Sequence, residues 1–194
     1  PQSKLYGGGD TTLSIGEDGD IRSGVTIDRG TENGGGRTIV GDRVFMMANS
    51  HVGHDCSVGD DVVLANCASI GGHCLIGDHT FVGALSGVHQ FTRVGRHAMI
   101  GGVSGVREDI IPFGRAAGDF ARLSGVNLVG MRRRRFSDVS IRAVRQAYRM
   151  IFLGKDVLEK KIEFVQERYG ADLLVAEILD FIKTRKSRPI CQSG

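Results

Sequence analysis

Histidines are the side chains of this sequence whose type and spacing could do chemistry. All six lie between His51 and His97, and an acid, Asp55, directly follows His54. Histidine titrates near neutral pH, so it can accept or give a proton during a reaction, and a nearby carboxylate can orient the ring. Imidazole nitrogens also bind zinc. Either chemistry requires a fold that brings together histidines that are distant in the chain.

The composition restricts the class of protein. The chain has 194 residues, 41% of them hydrophobic, which is typical of a globular protein. No apolar run is long enough to span a membrane and no leader segment opens the chain, so we expect a cytoplasmic protein without membrane insertion. The net charge of +3 is too small to indicate a nucleic-acid partner. Four cysteines form no CxxC pair and are expected to be free thiols: Cys56, Cys67, Cys74 and Cys191.

Apolar residues recur every six positions through the middle of the chain. The series runs from Val40 through Met46 and Val52 to Val106, and the residue after each member is usually glycine. A period of six fits neither a helix nor an ordinary alternating strand. We interpret each hexad as a short strand and a bend, so that three hexads close a triangular coil of eighteen residues. Successive coils would stack as parallel strands.

The same pattern predicts what fills the coil. Each series member and the small residue four places after it would point inward, because the coil is narrow. Cys56 and Cys74 hold the small position and are therefore predicted to be core residues rather than catalytic thiols. Glycine after each series member would let the backbone adopt strained dihedral angles or approach the next coil closely.

Interruptions of the period mark the limits of the repeat. Val40 comes thirteen positions after Ile27, a step that breaks the period of six, so the segment 28–37, which holds three consecutive glycines, is predicted to bulge as a loop. Pro112 falls on a series position where a strand residue is required, and it ends the repeat. The predicted protein is mainly β, with a β-helix over 1–112, a connecting segment over 113–130 and an α-helical C-terminal domain over 131–194.

Helical periodicity appears only in the last third of the chain. Capping residues, apolar faces and glycine stops predict three helices there. Their expected limits are Ser137 or Asp138 to near Gly154, Asp156 to about Tyr169, and Ala171 to about Arg185.

Winding the chain on eighteen residues brings distant histidines together. His51 falls beside Ser69 and Gly87, and His79 falls beside His97 in a column that we interpret as solvated and without function. Because a solenoid offers no pocket by itself, a site would form between neighbouring copies, which predicts a homo-oligomer such as a trimer. The edge most suited to a site carries six residues: His54, Asp55, Gly72, His73, His89 and Gln90.

Several collinear strings resemble the UDP-N-acetylglucosamine acyltransferases of lipid A biosynthesis. They lie at 26–31, 49–56, 64–66, 72–73, 88–91, 125–127 and 136–137. The resemblance runs nearly end to end, with the helical tail in place. It implies a left-handed parallel β-helix that forms a homotrimer with active sites between subunits. It also implies that several N-terminal coils are absent from this chain.

The resemblance implies a role for each candidate residue. His54 would be the general base that removes the proton of the sugar 3-hydroxyl as it attacks the thioester of a 3-hydroxyacyl-acyl carrier protein, and Asp55 would orient it. The backbone N–H of Gly72 would stabilise the oxyanion. No metal or cofactor is implied, since the acyl group arrives on the carrier's phosphopantetheine. Residues implied to bind UDP-GlcNAc, the acyl chain or the carrier are Gln2, Tyr6, His51, His73, His89, Gln90, Gly102, Asn127, Arg133 and Arg134.

Two departures from the family pattern concern the sugar nucleotide. The family's Gln-Asp-x-Lys-Tyr run is replaced by the run at 2–6, where Ser3 and Leu5 differ, and Val129 stands where the family has a glutamate. The acceptor is therefore left open between UDP-GlcNAc and its 3-amino analogue. Gly102 matches a position that limits acyl-chain length, and glycine there leaves room for a longer chain.

Other interpretations remain open. A zinc hydratase resembling the γ-class carbonic anhydrases would use His51, His54 and either His73 or His89 as ligands. A solenoid scaffold without activity, or an acyltransferase of the same fold with another acceptor, is also compatible with the repeat. The arginine run at 132–135 fits an acidic carrier protein, RNA or a solvated helix end.

Overall fold

The computed structural model of the protein describes residues 1–154 and 156–194. Its main part is a parallel β-helix with three sheets, in the strand orders β1-β4-β7-β10-β13, β2-β5-β8-β11-β14-β16-β17 and β3-β6-β9-β12-β15. The strands are β1 Thr12–Ile15, β2 Asp20–Ile21, β3 Thr26–Ile27, β4 Arg37–Val40, β5 Phe45–Met46, β6 His51–Val52, β7 Ser57–Val58, β8 Val63–Leu64, β9 Ser69–Ile70, β10 Leu75–Ile76, β11 Phe81–Val82, β12 Gly87–Val88, β13 Arg93–Val94, β14 Met99–Ile100, β15 Gly105–Val106, β16 Gly114–Ala117 and β17 Arg122–Val126.

Strand register confirms the eighteen-residue winding. Ile39 pairs with Ser57 and Ser57 with Leu75, so residues eighteen apart lie side by side. The coil before them is longer, because Ile15 pairs with Val40, twenty-five residues further on. The seven extra residues fall in the predicted loop, which contains a short 3-10 helix at Glu32–Gly34.

The interior of the coils is filled as the repeat predicts. From Val40 to Val106 the series members are buried. Cys56 and Cys74 are buried among them, which confirms that they are core residues. Burial of this apolar column contributes roughly 25 cal/mol to the free energy of folding for each Å² removed from water. The packed column also sets the position of each turn residue along the axis of the β-helix.

The turn residues with left-handed backbone are not the glycines in which we expected strained dihedral angles. Positive φ occurs on non-glycine residues at every sixth position: Arg43, Asn49, Asp55, Asp61, Cys67, His73, His79, Leu85, Phe91, His97 and Val103. The glycines after the series members have no positive φ. Instead, a Cβ on Gly53 would lie 2.8 Å from the Gly72 nitrogen, and a Cβ on Gly71 would lie 2.8 Å from the Gln90 nitrogen. The strained-dihedral explanation for these glycines was wrong, and close approach of the next coil is the reason that they are needed.

The regular winding ends near Pro112. Met99 pairs with Arg115, sixteen residues on instead of eighteen, and β17 then runs antiparallel to β16. The segment 113–130, which we expected only to connect two parts, thus adds two strands to the second sheet. These strands carry the chain from the β-helix to the helices.

Within residues 1–154 and 156–194, four helices complete the fold: α1 Leu128–Arg133, α2 Asp138–Leu153, α3 Leu158–Tyr169 and α4 Leu173–Lys183. The last three confirm the predicted helices within two residues at each end, whereas α1 was not predicted. Ser137 caps α2 by accepting a hydrogen bond from the Ser140 N–H, and Asp172 caps α4 in the same way. In the part of the chain described above, no helix is both long and apolar enough to cross a membrane. The predicted architecture, a parallel β-helix followed by a small helical domain, is confirmed, and the left-handed winding stays a prediction.

Candidate active site

The core of the site is a histidine paired with a buried carboxylate. His54 follows β6, and its Nδ1–H donates to Oδ2 of Asp55 at 2.8 Å. The Asp55 side chain is 0% exposed, whereas that of His54 is 15% exposed. The bond holds the ring in the tautomer that leaves Nε2 without a proton. His54 is thereby arranged as a proton acceptor, with Asp55 as its orienting group.

The inserted loop holds Asp55 in place. Thr31 donates its backbone N–H to Oδ1 of Asp55 at 2.9 Å and its hydroxyl to Oδ2 at 2.6 Å. The loop also presses against the carboxylate, since a Cβ on Gly34 would lie 2.1 Å from the Asp55 Cγ. Burial raises the pKa of Asp55, but the hydrogen bonds from Thr31 and His54 outweigh it and lower the pKa below its usual value. Asp55 is therefore ionised where His54 needs an acceptor.

Gly72 lies directly against the His54 ring. A Cβ at this position would lie 2.8 Å from both Cε1 and Nε2 of His54, so only glycine leaves the ring its place. Within the residues the structure describes, the Gly72 N–H donates to no other group of the chain. An unengaged backbone donor beside the proton acceptor is the arrangement that an oxyanion requires.

His73 completes this edge of the coil. Its ring meets His54 edge to face, with centroids 4.9 Å apart, and stacks on Phe91 at 4.4 Å. Burial lowers the pKa of His73, and the neighbouring His54 lowers it further against the opposing effect of Asp55. His73 is thus a neutral ring at neutral pH, suited to hydrogen bonding with a substrate.

His51 and His89 face a neighbouring shallow cleft of about 320 Å³. The Thr26 hydroxyl lies 2.8 Å from Nδ1 of His51. His89 and Gln90 are both exposed, and the backbone nitrogen of Gln90 lies close to Gly71 in the coil before it. The six residues expected at one edge are therefore brought to adjacent coils.

The other predicted binding residues lie apart from His54 within one chain. Asn127 is the N-cap of α1, where its side chain accepts from the Gly130 N–H and donates to the His97 carbonyl, both at 2.9 Å. A cleft of about 640 Å³ is lined by Asn127 together with Arg133 and Arg134. Both amide ends of Asn127 are thus engaged in holding α1 on the β-helix.

Three further predicted residues lie at other places. The Gln2 N–H donates to Asp28 at 2.8 Å, and the Tyr6 hydroxyl donates to the Gly9 carbonyl at 3.3 Å. Gly102 is exposed, and a Cβ there would lie 3.3 Å from the Ala84 carbonyl oxygen. No residue of these three touches His54 in the described chain.

The second histidine column contradicts our interpretation of it as solvated. His97 is 4% exposed, and its ring stacks on His79 with centroids 4.6 Å apart. Phe113 and Phe136 cover its other sides at 5.5 and 5.0 Å. Burial, followed by the neighbouring His79 and arginines, lowers the pKa of His97 to about 3. The rings of the second histidine column therefore pack where the helical domain meets the β-helix.

A metal could approach only one group of side chains in the described residues. The ligand atoms of His54, Asp55 and His73 all lie within 4.8 Å of one another. The Asp55 carboxylate already accepts three hydrogen bonds, two from Thr31 and one from His54. The ligand set expected for a zinc hydratase, which includes His51, is not the set that the fold brings together in one chain.

Three contributors to the site were missed by sequence reasoning. Thr31 lies on the inserted loop, where the eighteen-residue rule does not apply. Phe91 follows His73 in its column, so the winding could have identified it. Arg188 contacts His89 and Gln90 from the far end of the chain, and no local sequence signal indicates this contact.

Comparison with known proteins identifies the family. The profile described as "Udp N-acetylglucosamine O-acyltransferase; Domain 2" matches residues 109–191, and the bacterial transferase hexapeptide profile matches residues 37–72. The acyl-[acyl-carrier-protein]--UDP-N-acetylglucosamine O-acyltransferase of Methylobacterium radiotolerans is 58% identical, over 98% of this chain and 70% of its own length. The enzyme of that name from Aquifex aeolicus is 56% identical, over 96% of this chain and 71% of its own length.

Solved structures agree with this result. The UDP-N-acetylglucosamine O-acyltransferase of Moraxella catarrhalis is similar with a TM-score of 0.95 and 36% identity, over 99% of this chain and 74% of that one. The Arabidopsis UDP-N-acetylglucosamine acyltransferase is similar with a TM-score of 0.93 and 32% identity, over 98% of this chain and 69% of that one. The present chain belongs to the UDP-N-acetylglucosamine O-acyltransferase family.

Proposed function

We propose that this chain transfers a 3-hydroxyacyl group from an acyl carrier protein to the 3-position of UDP-GlcNAc, the first step of lipid A biosynthesis. The names of its relatives support the reaction class. The observation that carries the chemistry is the chain of hydrogen bonds from Thr31 through Asp55 to His54, next to the free N–H of Gly72.

The transfer proceeds without an acyl-enzyme. Nε2 of His54 takes the proton of the sugar 3-hydroxyl as that oxygen bonds to the thioester carbon, and the carbonyl electron pair moves to oxygen. The Gly72 N–H donates to this oxyanion. Collapse of the intermediate breaks the carbon–sulfur bond, and the proton held by His54 passes to the leaving thiolate. General-base catalysis of this kind contributes roughly 10²- to 10⁴-fold to a rate.

Substrate binding divides between the two kinds of location described above. His51, His73, His89 and Gln90 border His54 and would position the sugar nucleotide and the thioester. The remaining predicted residues lie elsewhere in one chain, and we infer that another copy must supply them to a site at His54: Gln2, Tyr6, Gly102, Asn127, Arg133 and Arg134. A homotrimer with sites between subunits satisfies this requirement.

Two parts of the proposal concern the setting of the enzyme. We propose a cytoplasmic location, which the four free thiols of the structure fit, because disulfides are rare in that compartment. No cofactor is required, since the acyl donor brings its own phosphopantetheine. Light scattering of the purified protein should give a mass three times the 20.9 kDa of the chain, and a monomeric mass would contradict the shared site.

A transfer assay tests the function and its acceptor. Purified protein is incubated with a panel of 3-hydroxyacyl carrier proteins and with either UDP-GlcNAc or its 3-amino analogue. We expect an ester of UDP-GlcNAc as the main product. A preference for the amino sugar would show that Ser3, Leu5 and Val129 change the acceptor. Stoichiometric zinc with carbon dioxide hydration, and no acyl transfer, would establish the hydratase instead.

A further inference from the structure

The C-terminal segment that follows α4 reaches the candidate substrate cleft through one arginine. The Arg188 Nη2 lies 2.7 Å from Nδ1 of His89, and the same guanidinium donates to the Gln90 carbonyl at 3.0 and 3.2 Å. The segment is anchored, because the Asp109 N–H donates to the Pro189 carbonyl at 2.8 Å. Arg188 is thus held against His89 by the fold and not by its own side chain alone.

His89 has two competing hydrogen-bond arrangements. A guanidinium is only a donor, so Nδ1 of His89 must carry no proton when it bonds Arg188. The same Nδ1 lies 3.2 Å from the Gln90 carbonyl, which is only an acceptor and would require a proton on Nδ1. Arg188 favours the arrangement with a bare Nδ1 in two ways, because it donates to Nδ1 itself and also to the Gln90 carbonyl that an Nδ1–H would need. The proton of the neutral ring then resides on Nε2.

We propose that Arg188 is a positioning residue that sets the tautomer of His89, so that its Nε2–H donates to an acceptor oxygen of the bound substrate. Such oxygens are present on both a nucleoside diphosphate and a thioester. Nε2 donates to no other group in the described chain, and His89 lines the cleft that it shares with His51. Without Arg188, Nδ1–H would turn to the Gln90 carbonyl and Nε2 would become an acceptor, which repels those oxygens.

The tautomer can be measured without substrate. In protein with nitrogen-15 in its histidine rings, long-range nitrogen–proton spectra distinguish the protonated ring nitrogen from the bare one, and His89→Gln assigns the signal. We expect a proton on Nε2 in the wild type and on Nδ1 in Arg188→Met. Arg188→Lys, which keeps a donor-only cation, should retain the wild-type pattern. Arg185→Met removes an arginine of the same segment that has no side-chain bond to His89, and should also change nothing.

Kinetics test the consequence, which rests on the proposed function. Loss of one substrate hydrogen bond should raise KM for one substrate of Arg188→Met about tenfold while kcat changes less than about threefold. A wild-type proton on Nδ1, or an unchanged tautomer in Arg188→Met, would overturn the proposal. So would a tautomer change that leaves both KM values unchanged. If no acyl transfer occurs at all, the proposed function fails, and the spectra still decide the tautomer.

Discussion

Two columns of the β-helix each carry an aspartate, a histidine and then an aromatic ring, but they differ in the groups that surround these side chains. In the first, Asp55, His73 and Phe91 follow one another at eighteen-residue steps. In the second, Asp61, His79 and His97 do so. All six residues have positive φ at the turn. Similar residues at equivalent positions are therefore not enough to define a site.

The carboxylates explain the difference. The Asp55 side chain is fully buried and accepts hydrogen bonds from neutral groups of Thr31, so it remains available to orient His54. Asp61 is 27% exposed and is bonded by Arg43, whose hydrogen bond is the largest cause lowering its pKa. A carboxylate paired with arginine has its charge neutralised locally. We therefore expect the first column to serve proton transfer and the second to serve packing.

The largest expected difference between the two columns is in how strongly a substitution lowers the rate of acyl transfer. His54→Ala removes the proton acceptor, so kcat should fall by about 10²- to 10⁴-fold. The matched control is His79→Phe, which keeps an aromatic ring in the second column and should change kcat by less than about threefold. Similar losses in both variants would show that the columns are not functionally distinct.

The next effect tests the close approach of coils behind Gly72. Gly53→Ala places a Cβ 2.8 Å from the Gly72 nitrogen, and this overpacking should lower the free energy of unfolding by about 3 kcal/mol. Gly87→Ala is the control, because a Cβ there would meet nothing within 4 Å. Denaturant titration measures both variants, and equal stabilities would argue against the tight stacking at Gly53.

A smaller effect distinguishes the second column by its pH dependence. The folded pKa of His97 is about 3, while an unfolded histidine titrates near 6.5. The unfolded state alone takes up a proton between these values, so stability present above pH 6.5 is lost as pH falls toward 3. From pH 6.5 to pH 5 the loss should be about 2 kcal/mol.

The variant His97→Asn removes this titration and keeps a residue type that tolerates positive φ. Its free energy of unfolding should depend less on pH over that window than the wild-type value does. Urea titrations at pH 7.5, 6 and 5 measure both proteins. An identical pH dependence would show that His97 titrates normally, and so is not buried beneath the helical domain.

The smallest effect concerns the loop that holds Asp55. Thr31→Val keeps the shape of the side chain but removes the hydroxyl bonded to Oδ2, so kcat should fall about tenfold. Thr31→Ser retains the hydroxyl and should lose less than about threefold. If the valine and serine variants have equal rates, the hydroxyl has no part in positioning Asp55.

Sequence periodicity predicted the coils and the edge around His54 because side-chain position in this fold follows from residue number. The rule applies only where the winding is regular. Thr31 lies in the seven-residue insertion, so its approach to Asp55 could not be read from any column. The rule also carries no information about what covers a face, which is why His97 was taken to be solvated although Phe136 packs on it.

Contacts made by the C-terminal domain could not be predicted from the sequence either. Arg188 reaches Gln90 only because α4 and the segment after it fold back onto the β-helix. Asn127 was expected to bind substrate, and its place as the cap of α1 depends on a six-residue helix with a weak sequence signal. Tertiary packing between the two parts of the fold determines both positions.

A crystal structure with UDP-GlcNAc bound would test the central claim most directly. The account predicts the sugar 3-hydroxyl within about 2.6 to 3.2 Å of Nε2 of His54, with Nδ1 still bonded to Asp55. A sugar nucleotide whose 3-hydroxyl lies beside His79, or out of reach of His54, would contradict it.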